Sequence, residues 1–218
     1  IIGHVGIDET NRRFFVSDHG KLKIFAYDLD SVLTTPEYQP SVKIDMKKKL
    51  FPDDYLYLND TLCIARIIEP IGNNDYKPSV ARWNMATGEI NPMPYEYPDL
   101  KKVRFIYAAS AEHQLYVQCY TQYDLMTICD FNGNLKCNIY GPKWVNEKTQ
   151  TQHYSLGVEF CGDKILALYS GGDHRTDAYY PTKFLVFDLN GNYLKTLETG
   201  YMITDFCYDK ENNRLIIN

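Results

Sequence analysis

Short apolar strands recur along the chain at a nearly constant spacing. They begin at Phe14, Leu62, Leu115, Ile165 and Leu215, so that successive starts lie 48, 53, 50 and 50 residues apart. A fixed period of this length indicates a repeat architecture, in which each repeat buries an apolar face against its neighbours.

Each repeat has two halves in which apolar and polar residues alternate. The first half is a hairpin, since DETNRRFFV at 8–16 aligns with DKENNRLII at 209–217. The second half, in which a strand, a turn and a returning strand follow one another, occurs at 24–33, 81–90, 127–136 and 184–197. Four strands in about 50 residues are typical of one β-propeller blade. The sequence therefore predicts an all-β propeller with four-stranded antiparallel blades.

The alignment predicts a single propeller domain over residues 1–218, with about four and a half blades visible. The blades lie near residues 4–44, 56–93, 104–141 and 157–200, with a half blade at 203–218. Because propellers close into a ring, we expect a C–D hairpin, with or without one further blade, to lie outside this sequence. A four-bladed ring with an extra hairpin is the alternative.

A short polar residue precedes each turn in the second half-repeat, namely Asp28, Asn84, Asp130 and Asp188. We interpret these residues as caps, whose side-chain oxygens accept the backbone N–H groups of the turn, rather than as ligands for a bound molecule.

Composition and charge restrict the classes of partner. The chain is 44% apolar, with 19 Tyr and 10 Phe, and its formal charge is −5. The 23 basic residues are dispersed apart from the run at 47–49, so nucleic acid is not predicted as a partner. No stretch approaches the 18 or so apolar residues of a membrane span.

The cysteines and histidines match no metal-binding pattern. Cysteines stand at 63, 119, 129, 137, 161 and 207 without any Cys-x-x-Cys pair, and the five histidines form no HExxH motif. A two-residue turn at 131–134 would place Cys129 opposite Lys136 and Cys137 opposite Ile128. The sequence accordingly predicts no metal, no cofactor and no catalytic residue.

The connections between strands differ in length. The A–B and C–D turns are predicted to be short, whereas the B–C connections at 68–79 and 170–182 and the D–A connections at 92–102 and 141–155 are long. Residues 41–51 are expected to carry a further D–A connection, with at most one helical turn. In a propeller the B–C and D–A connections emerge on one face, where function usually resides.

Aromatic and basic side chains are concentrated in these long connections. Rings with polar tips suit the recognition of a protein, peptide or glycan, although they can also serve to pack a loop against its blade. The candidate ligand-binding residues are Trp144, His153, Tyr154, His174, Arg175, Tyr179 and Tyr180.

Three segments carry a family resemblance. DLNGNYLKTLETG at 188–200, CDFNGNLKCNIYG at 129–141 and ITDFCYDKENNRLIIN at 203–218 resemble repeats of the TolB-like six-bladed propellers of Bacteroidetes, which are related to NHL-type propellers. The resemblance implies six blades, export behind a lipoprotein signal, a periplasmic or cell-surface location and a binding role.

Three functions follow from these observations. The first is a non-enzymatic binding or scaffold propeller of the cell envelope that uses the long-loop face. The second is a metal-assisted hydrolase similar to lactonase-like propellers, with its site at the channel mouth. The third is self-association through open blade edges. Acids that would serve the second function are Asp75, Glu96, Asp99, Glu147, Asp173 and Asp177.

Overall fold

Antiparallel sheets built from consecutive strands make up almost the whole fold. The computed structural model describes residues 2–45, 51–72, 75–100 and 103–218. Each of the first four sheets has four strands, and the fifth has two.

The sheets are numbered in chain order. Sheet 1 contains β1 (Ile2–Asp8), β2 (Arg13–Asp18), β3 (Lys23–Asp28) and β4 (Ser41–Asp45). Sheet 2 contains β5 (Phe51–Asn59), β6 (Leu62–Gly72), β7 (Asp75–Asn84) and β8 (Glu89–Pro92). Sheet 3 contains β9 (Phe105–Ser110), β10 (Leu115–Tyr120), β11 (Leu125–Asp130) and β12 (Leu135–Tyr140). Sheet 4 contains β13 (Thr151–Cys161), β14 (Lys164–Asp173), β15 (Lys183–Asp188) and β16 (Tyr193–Glu198). Sheet 5 contains β17 (Phe206–Asp209) and β18 (Arg214–Ile217).

The predicted repeat is confirmed strand by strand. Each of the five apolar strands that defined the period is the second strand of its sheet. The chain divides into two compact units, Ile1–Met93 with sheets 1 and 2 and Pro94–Asn218 with sheets 3, 4 and 5.

Alternating apolar residues build a separate core in each unit. In the first unit, Phe15 and Ile24 pack with Tyr55, Cys63 and Trp83, all of them 2% exposed or less. Burial of side chains of this size contributes about 1.5–3 kcal/mol each to the free energy of folding. In the second unit the central members of the core are Val117, Ile128, Tyr154, Ile165 and Phe187.

The polar residues before the turns act as caps, as predicted. The Asp130 Oδ1 accepts the backbone N–H groups of Asn132 and Asn134 at 2.8 and 2.9 Å. Asp188 repeats this arrangement with Asn190 and Asn192, both at 2.8 Å. The recurring acid therefore has a local role in the backbone of the turn.

The first C–D connection differs from the predicted short turn. A helix, α1 (Leu29–Thr34), lies between β3 and β4. Asp28 begins it as the N-cap, with its side chain accepting the N–H of Ser31 at 2.7 Å. The segment lacks the Asn-Gly-Asn of the corresponding turns at 132–134 and 190–192, so the capping aspartate starts a helix rather than a tight hairpin.

One predicted loop is largely strand, and two others are strand in part. Residues 68–72 and 75–79 extend the β6–β7 hairpin, with Ile68 opposite Pro78 and Gly72 opposite Asp75. Residues 170–173 likewise belong to β14, and 151–155 belong to β13. Regular pairing satisfies the backbone groups that an irregular loop would leave to water.

The connection expected at 41–51 lies only partly within the described residues. Residues 41–45 form β4, whereas residues 46–50, which include the lysine run and the expected helical turn, lie outside the described residues.

One predicted register is partly wrong. Cys137 is opposite Ile128 as expected, but a bulge places Cys129 opposite Leu135 rather than Lys136. Lys136 in β12 is the extra residue of this bulge. All six cysteines are free thiols.

Helices in the described residues are short. Besides α1 there is one 3₁₀ turn at Asp177–Tyr179, and no described helix is long and apolar enough to cross a bilayer.

Candidate functional site

An aromatic cluster lies where the connection from β12 to β13 leaves sheet 3. We call residues 141–150 the Trp144 segment. The Trp144 ring centroid lies 5.2 Å from that of Tyr140, 5.7 Å from that of Tyr97 and 6.3 Å from that of Tyr123. Tyr123 is buried beneath the cluster, whereas half of Tyr140 is exposed. The cluster thus presents ring surface and phenol groups to solvent on a packed base.

The hydroxyl groups of two cluster members share a hydrogen bond. The Tyr97 and Tyr140 oxygens lie 3.4 Å apart. This hydrogen bond, with burial as a lesser cause, raises the pKa of Tyr97 to about 12. The hydroxyl therefore stays protonated at neutral pH and can both donate and accept.

The connection from β14 to β15 brings charged groups to the surface. Arg175 donates through Nη2 and Nε to Asp173 at 2.9 and 3.1 Å, and these hydrogen bonds lower the pKa of Asp173 to about 2. The neighbouring His174 donates through Nδ1 to the carbonyl oxygen of Gln150 at 2.9 Å. Both basic side chains are exposed.

A pair of tyrosines follows in the same connection. The rings of Tyr179 and Tyr180 lie 4.1 Å apart at the end of the 3₁₀ turn. Ser170 holds this turn, because its hydroxyl donates to the carbonyl oxygen of Ala178 at 2.6 Å. That carbonyl occupies the space where a Cβ on Gly172 would stand, so glycine is required there by close approach.

The Trp144 segment contacts the β14–β15 connection directly. Lys143 donates through Nζ to the carbonyl oxygen of Gly171, near the end of β14, at 3.2 Å. Within the connection, the His174 N–H donates to the carbonyl oxygen of Gln150 at 3.1 Å. These hydrogen bonds join the two connections into one surface, as expected for D–A and B–C connections on the same side.

The seven candidate residues fall into two groups. Trp144, His174, Arg175, Tyr179 and Tyr180 lie wholly or partly at the surface, and their ligand-binding role remains a prediction. His153 and Tyr154 are each only 1% exposed, so any part they play in binding is through the residues above them.

Burial changes the acid–base behaviour of these two side chains. It lowers the pKa of His153, against the opposing charge of Asp124, and it raises the pKa of Tyr154. Both side chains are therefore held in their neutral forms near neutral pH.

Sequence reasoning missed residues that complete the surface. Tyr140 ends β12, Tyr123 precedes β11 and Lys143 adjoins Trp144, so no local pattern distinguishes them from ordinary strand-end residues. Their shared position depends on the pairing of separate strands. The sequence signal that could have found them is the presence of bulky residues on either side of each long connection.

No metal-binding cluster forms among the acids whose side chains the structure describes. Among the described residues, no group of three His, Cys, Asp or Glu side chains is placed to hold a metal ion. Asp173 forms its ion pair with Arg175.

Comparison with known proteins identifies the fold. No protein-family model and no curated protein sequence matches the chain. Two structures of the extracellular domain of BT4673 from B. thetaiotaomicron, described as a one-component or hybrid two-component system, match 100% of this chain. Their TM-scores are 0.62 and 0.60, each at 10% identity, and the chain covers 26% of either structure.

A second kind of neighbour is an enzyme. A gluconolactonase from Xanthomonas campestris matches 94% of this chain with a TM-score of 0.55 at 17% identity, and 65% of the gluconolactonase is covered. Identities this low identify the fold alone. The repeated four-stranded antiparallel sheets and these neighbours together show that the chain has the β-propeller fold predicted from its repeat.

Proposed function

We propose that this chain is a non-enzymatic recognition propeller that binds a glycan on the surface formed by the Trp144 segment and the β14–β15 connection. The observation that supports the proposal most directly is the aromatic cluster, in which Trp144 packs with three tyrosines while half of Tyr140 remains exposed. Large rings held rigidly lose little rotamer freedom when a ligand binds.

The chemistry of the surface suits a sugar. The apolar face of a pyranose stacks on aromatic rings, and its hydroxyl groups need both donors and acceptors at the rim. Tyr97 and Tyr140 supply hydroxyl groups, and Lys143, His174 and Arg175 supply N–H donors. Tyr140 ends β12, which is an edge strand of sheet 3, so an extended peptide that pairs with this edge is the second candidate.

A cell-envelope location agrees with this role. The BT4673 neighbours are extracellular domains, and the three segments that resemble TolB-like repeats imply export. We therefore propose that the ligand is encountered outside the cytoplasm, and that the intact protein is a six-bladed lipoprotein.

The proposal is tested by replacing the central ring. The probe is a panel of soluble neutral and acidic oligosaccharides, with binding followed by isothermal titration calorimetry. We expect Trp144→Ala to weaken binding of any oligosaccharide that the native chain binds by at least about tenfold, which corresponds to about 1.4 kcal/mol.

Tyr193→Ala is the matched control. Tyr193 is 57% exposed in the same unit, but it begins β16 beside the opposite, C–D turn. Its replacement should leave binding unchanged. Equal effects of the two substitutions, absence of binding across the panel, or Ca²⁺-dependent hydrolysis of gluconolactone would contradict the proposal.

A further inference from the structure

The start of the Trp144 segment is fastened by a buried carboxylate. Asp124, in the turn before β11, is 1% exposed. Its Oδ2 accepts the backbone N–H of Lys143 at 2.9 Å, and its carbonyl oxygen accepts that of Gly141 at 2.8 Å. A Cβ at Gly141 would overlap the carboxylate, so the chain passes as close to this group as it can. The position of Trp144, one residue further on, follows from these contacts.

The end of the segment is fastened to the same turn. Gln122 accepts hydrogen bonds at its carbonyl oxygen from the Thr149 N–H at 3.3 Å and from the Thr149 hydroxyl at 3.1 Å. Between these two attachments, Val145 is 48% exposed. The segment is therefore a loop held at its two ends over one turn of the neighbouring hairpin.

His153 lies beneath both attachments. Its Nδ1 is 3.3 Å from the Tyr169 hydroxyl and 3.7 Å from Asp124 Oδ1, while its Nε2 is 3.5 Å from the Thr149 hydroxyl. A neutral imidazole fits these partners, with Nδ1 accepting from Tyr169 and Nε2–H donating to Thr149. The charged groups that face it are Asp124 and Lys143.

The second oxygen of Asp124 lacks a hydrogen bond. Among the described residues, no hydrogen bond of ordinary geometry reaches the buried Oδ1, although the His153 Nδ1 lies 3.7 Å away and the Tyr169 hydroxyl also interacts with this carboxylate. An unsatisfied buried carboxylate oxygen is costly, which makes the attachment sensitive to the state of its neighbour.

We propose that Asp124 and His153 are positioning residues that together hold the Trp144 segment over the β10–β11 turn and release it when His153 takes up a proton. The consequence for ligand binding rests on the proposed function. The position of the segment itself can be measured without any ligand.

The direction of the pH effect follows from burial. Because burial lowers the pKa of His153 in the held state, a proton binds more readily when the segment has lifted and the ring reaches water. The attachment is therefore complete above the ordinary histidine pKa of about 6.5 and weakens as the pH falls below it. If a protonated His153 instead formed an ion pair with Asp124 while the segment stayed attached, the attachment would become stronger as the pH falls.

Acrylamide quenching of tryptophan fluorescence tests the proposal. The chain has two tryptophans, and Trp83 is 1% exposed, so subtraction of the signal of Trp144→Phe isolates Trp144. We expect the quenching constant of Trp144 to rise about twofold or more between about pH 7.5 and about pH 5.5. His153→Gln, which keeps an N–H donor but does not titrate, should abolish this rise.

His113→Gln is the matched control. His113 donates through Nε2 to the carbonyl oxygen of Gly162 at 2.8 Å at the far end of β9 and β10, and its replacement should leave the rise unchanged. Asp124→Ala should give high quenching at both pH values. Asp124→Asn, which retains an acceptor for the Lys143 N–H, should restore low quenching at about pH 7.5.

Either of two results would overturn the inference. One is quenching that falls or stays constant in the native chain on acidification. The other is a pH response in His153→Gln equal to the native one. Near-ultraviolet circular dichroism shows whether the Asp124→Ala variant folds. If this variant does not fold, the comparison of His153→Gln with the native chain tests the proposal by itself. Failure of oligosaccharide binding leaves these outcomes unaffected.

Discussion

A single turn motif appears twice in the chain with the same hydrogen bonds. Asp8 accepts hydrogen bonds from the backbone N–H and the side chain of Asn11 and from the Arg13 guanidinium, whose Nη2 lies 2.6 Å from Asp8 Oδ2. Asp209 makes the same set of contacts with Asn212 and Arg214. The sequence alignment of 8–16 with 209–217 is thus explained by one geometry, in which an aspartate closes the hairpin.

We predict that Asp8→Ala destabilises the chain by about 2 kcal/mol, because Asp8 is 4% exposed and its carboxylate accepts charge-assisted hydrogen bonds from Asn11 and Arg13 that are lost with it. Burial opposes ionisation, but the hydrogen bonds from Asn11 and Arg13 prevail and lower the pKa of Asp8. The stabilisation is therefore present above about pH 3.9 and is lost as the pH falls further. Urea denaturation measures the loss, and exposed Glu9→Ala should change stability by less than about 0.5 kcal/mol.

A glycine in the candidate site makes a second prediction at this scale. Gly172→Ala should displace the 3₁₀ turn that carries Tyr179, because the new Cβ would overlap the Ala178 carbonyl. We expect the amide resonances of residues 176–180 to shift in NMR spectra. Gly72→Ala, whose Cβ would have its nearest neighbour at 3.9 Å, should shift only its immediate surroundings. Similar shifts in both variants would argue against close approach at Gly172.

At the level of elements, the alternation of apolar and polar residues predicted where the strands lie but not how far they extend. The pairing of β6 with β7 continues to Gly72 and Asp75 through segments that contain prolines and read as loop. Helix α1 formed because the third strand of sheet 1 is followed by a capping aspartate without the glycine of a tight turn. Pairing with the neighbouring strand decided the outcome in the hairpin, whereas the local cap decided it in α1.

Strand β13 carries an acid whose burial predicts a pH-dependent stability. Glu159 Oε2 is buried and, among the described residues, has no hydrogen-bond donor. Burial raises the pKa of Glu159, against a backbone N–H of Tyr208. The folded state therefore keeps this proton longer than the unfolded state, so stability falls as the pH rises above about 4.3.

Glu159→Gln should remove this penalty. We expect its Tm to exceed that of the native chain at about pH 7 and to equal it at about pH 4, as measured by differential scanning calorimetry. Glu112→Gln is the comparison, because Glu112 is exposed and ion-paired with Lys210 at 2.7 Å. A lower Tm for Glu159→Gln at about pH 7 would show that the carboxylate is stabilising.

At the level of the whole molecule, we expect a polypeptide of residues 1–218 to self-associate through β18, the second strand of sheet 5. In the described part of the chain β18 pairs with β17 alone, and Ile216 and Ile217 are 50% and 45% exposed. An apolar strand with free backbone groups pairs readily with another strand.

We expect self-association in sedimentation velocity experiments, and we expect Ile216→Lys to lower the association constant at least about tenfold. Leu33→Lys, on exposed α1, should have no effect, and a native chain that stays monomeric at high concentration would contradict the prediction.

The sequence by itself determined the repeat, the four strands of each blade and the turn caps. These features depend on contacts within a few residues or on a period that is visible along the chain, as with Asp130 and the turn it caps. The tertiary structure alone decided which aromatic rings meet at Trp144, and that His153 and Tyr154 lie beneath the surface rather than on it. It also placed Asp124 under the Trp144 segment. The physical reason is that these groups come from separate strands and turns, so their meeting depends on how the sheets pack, which a linear pattern does not encode.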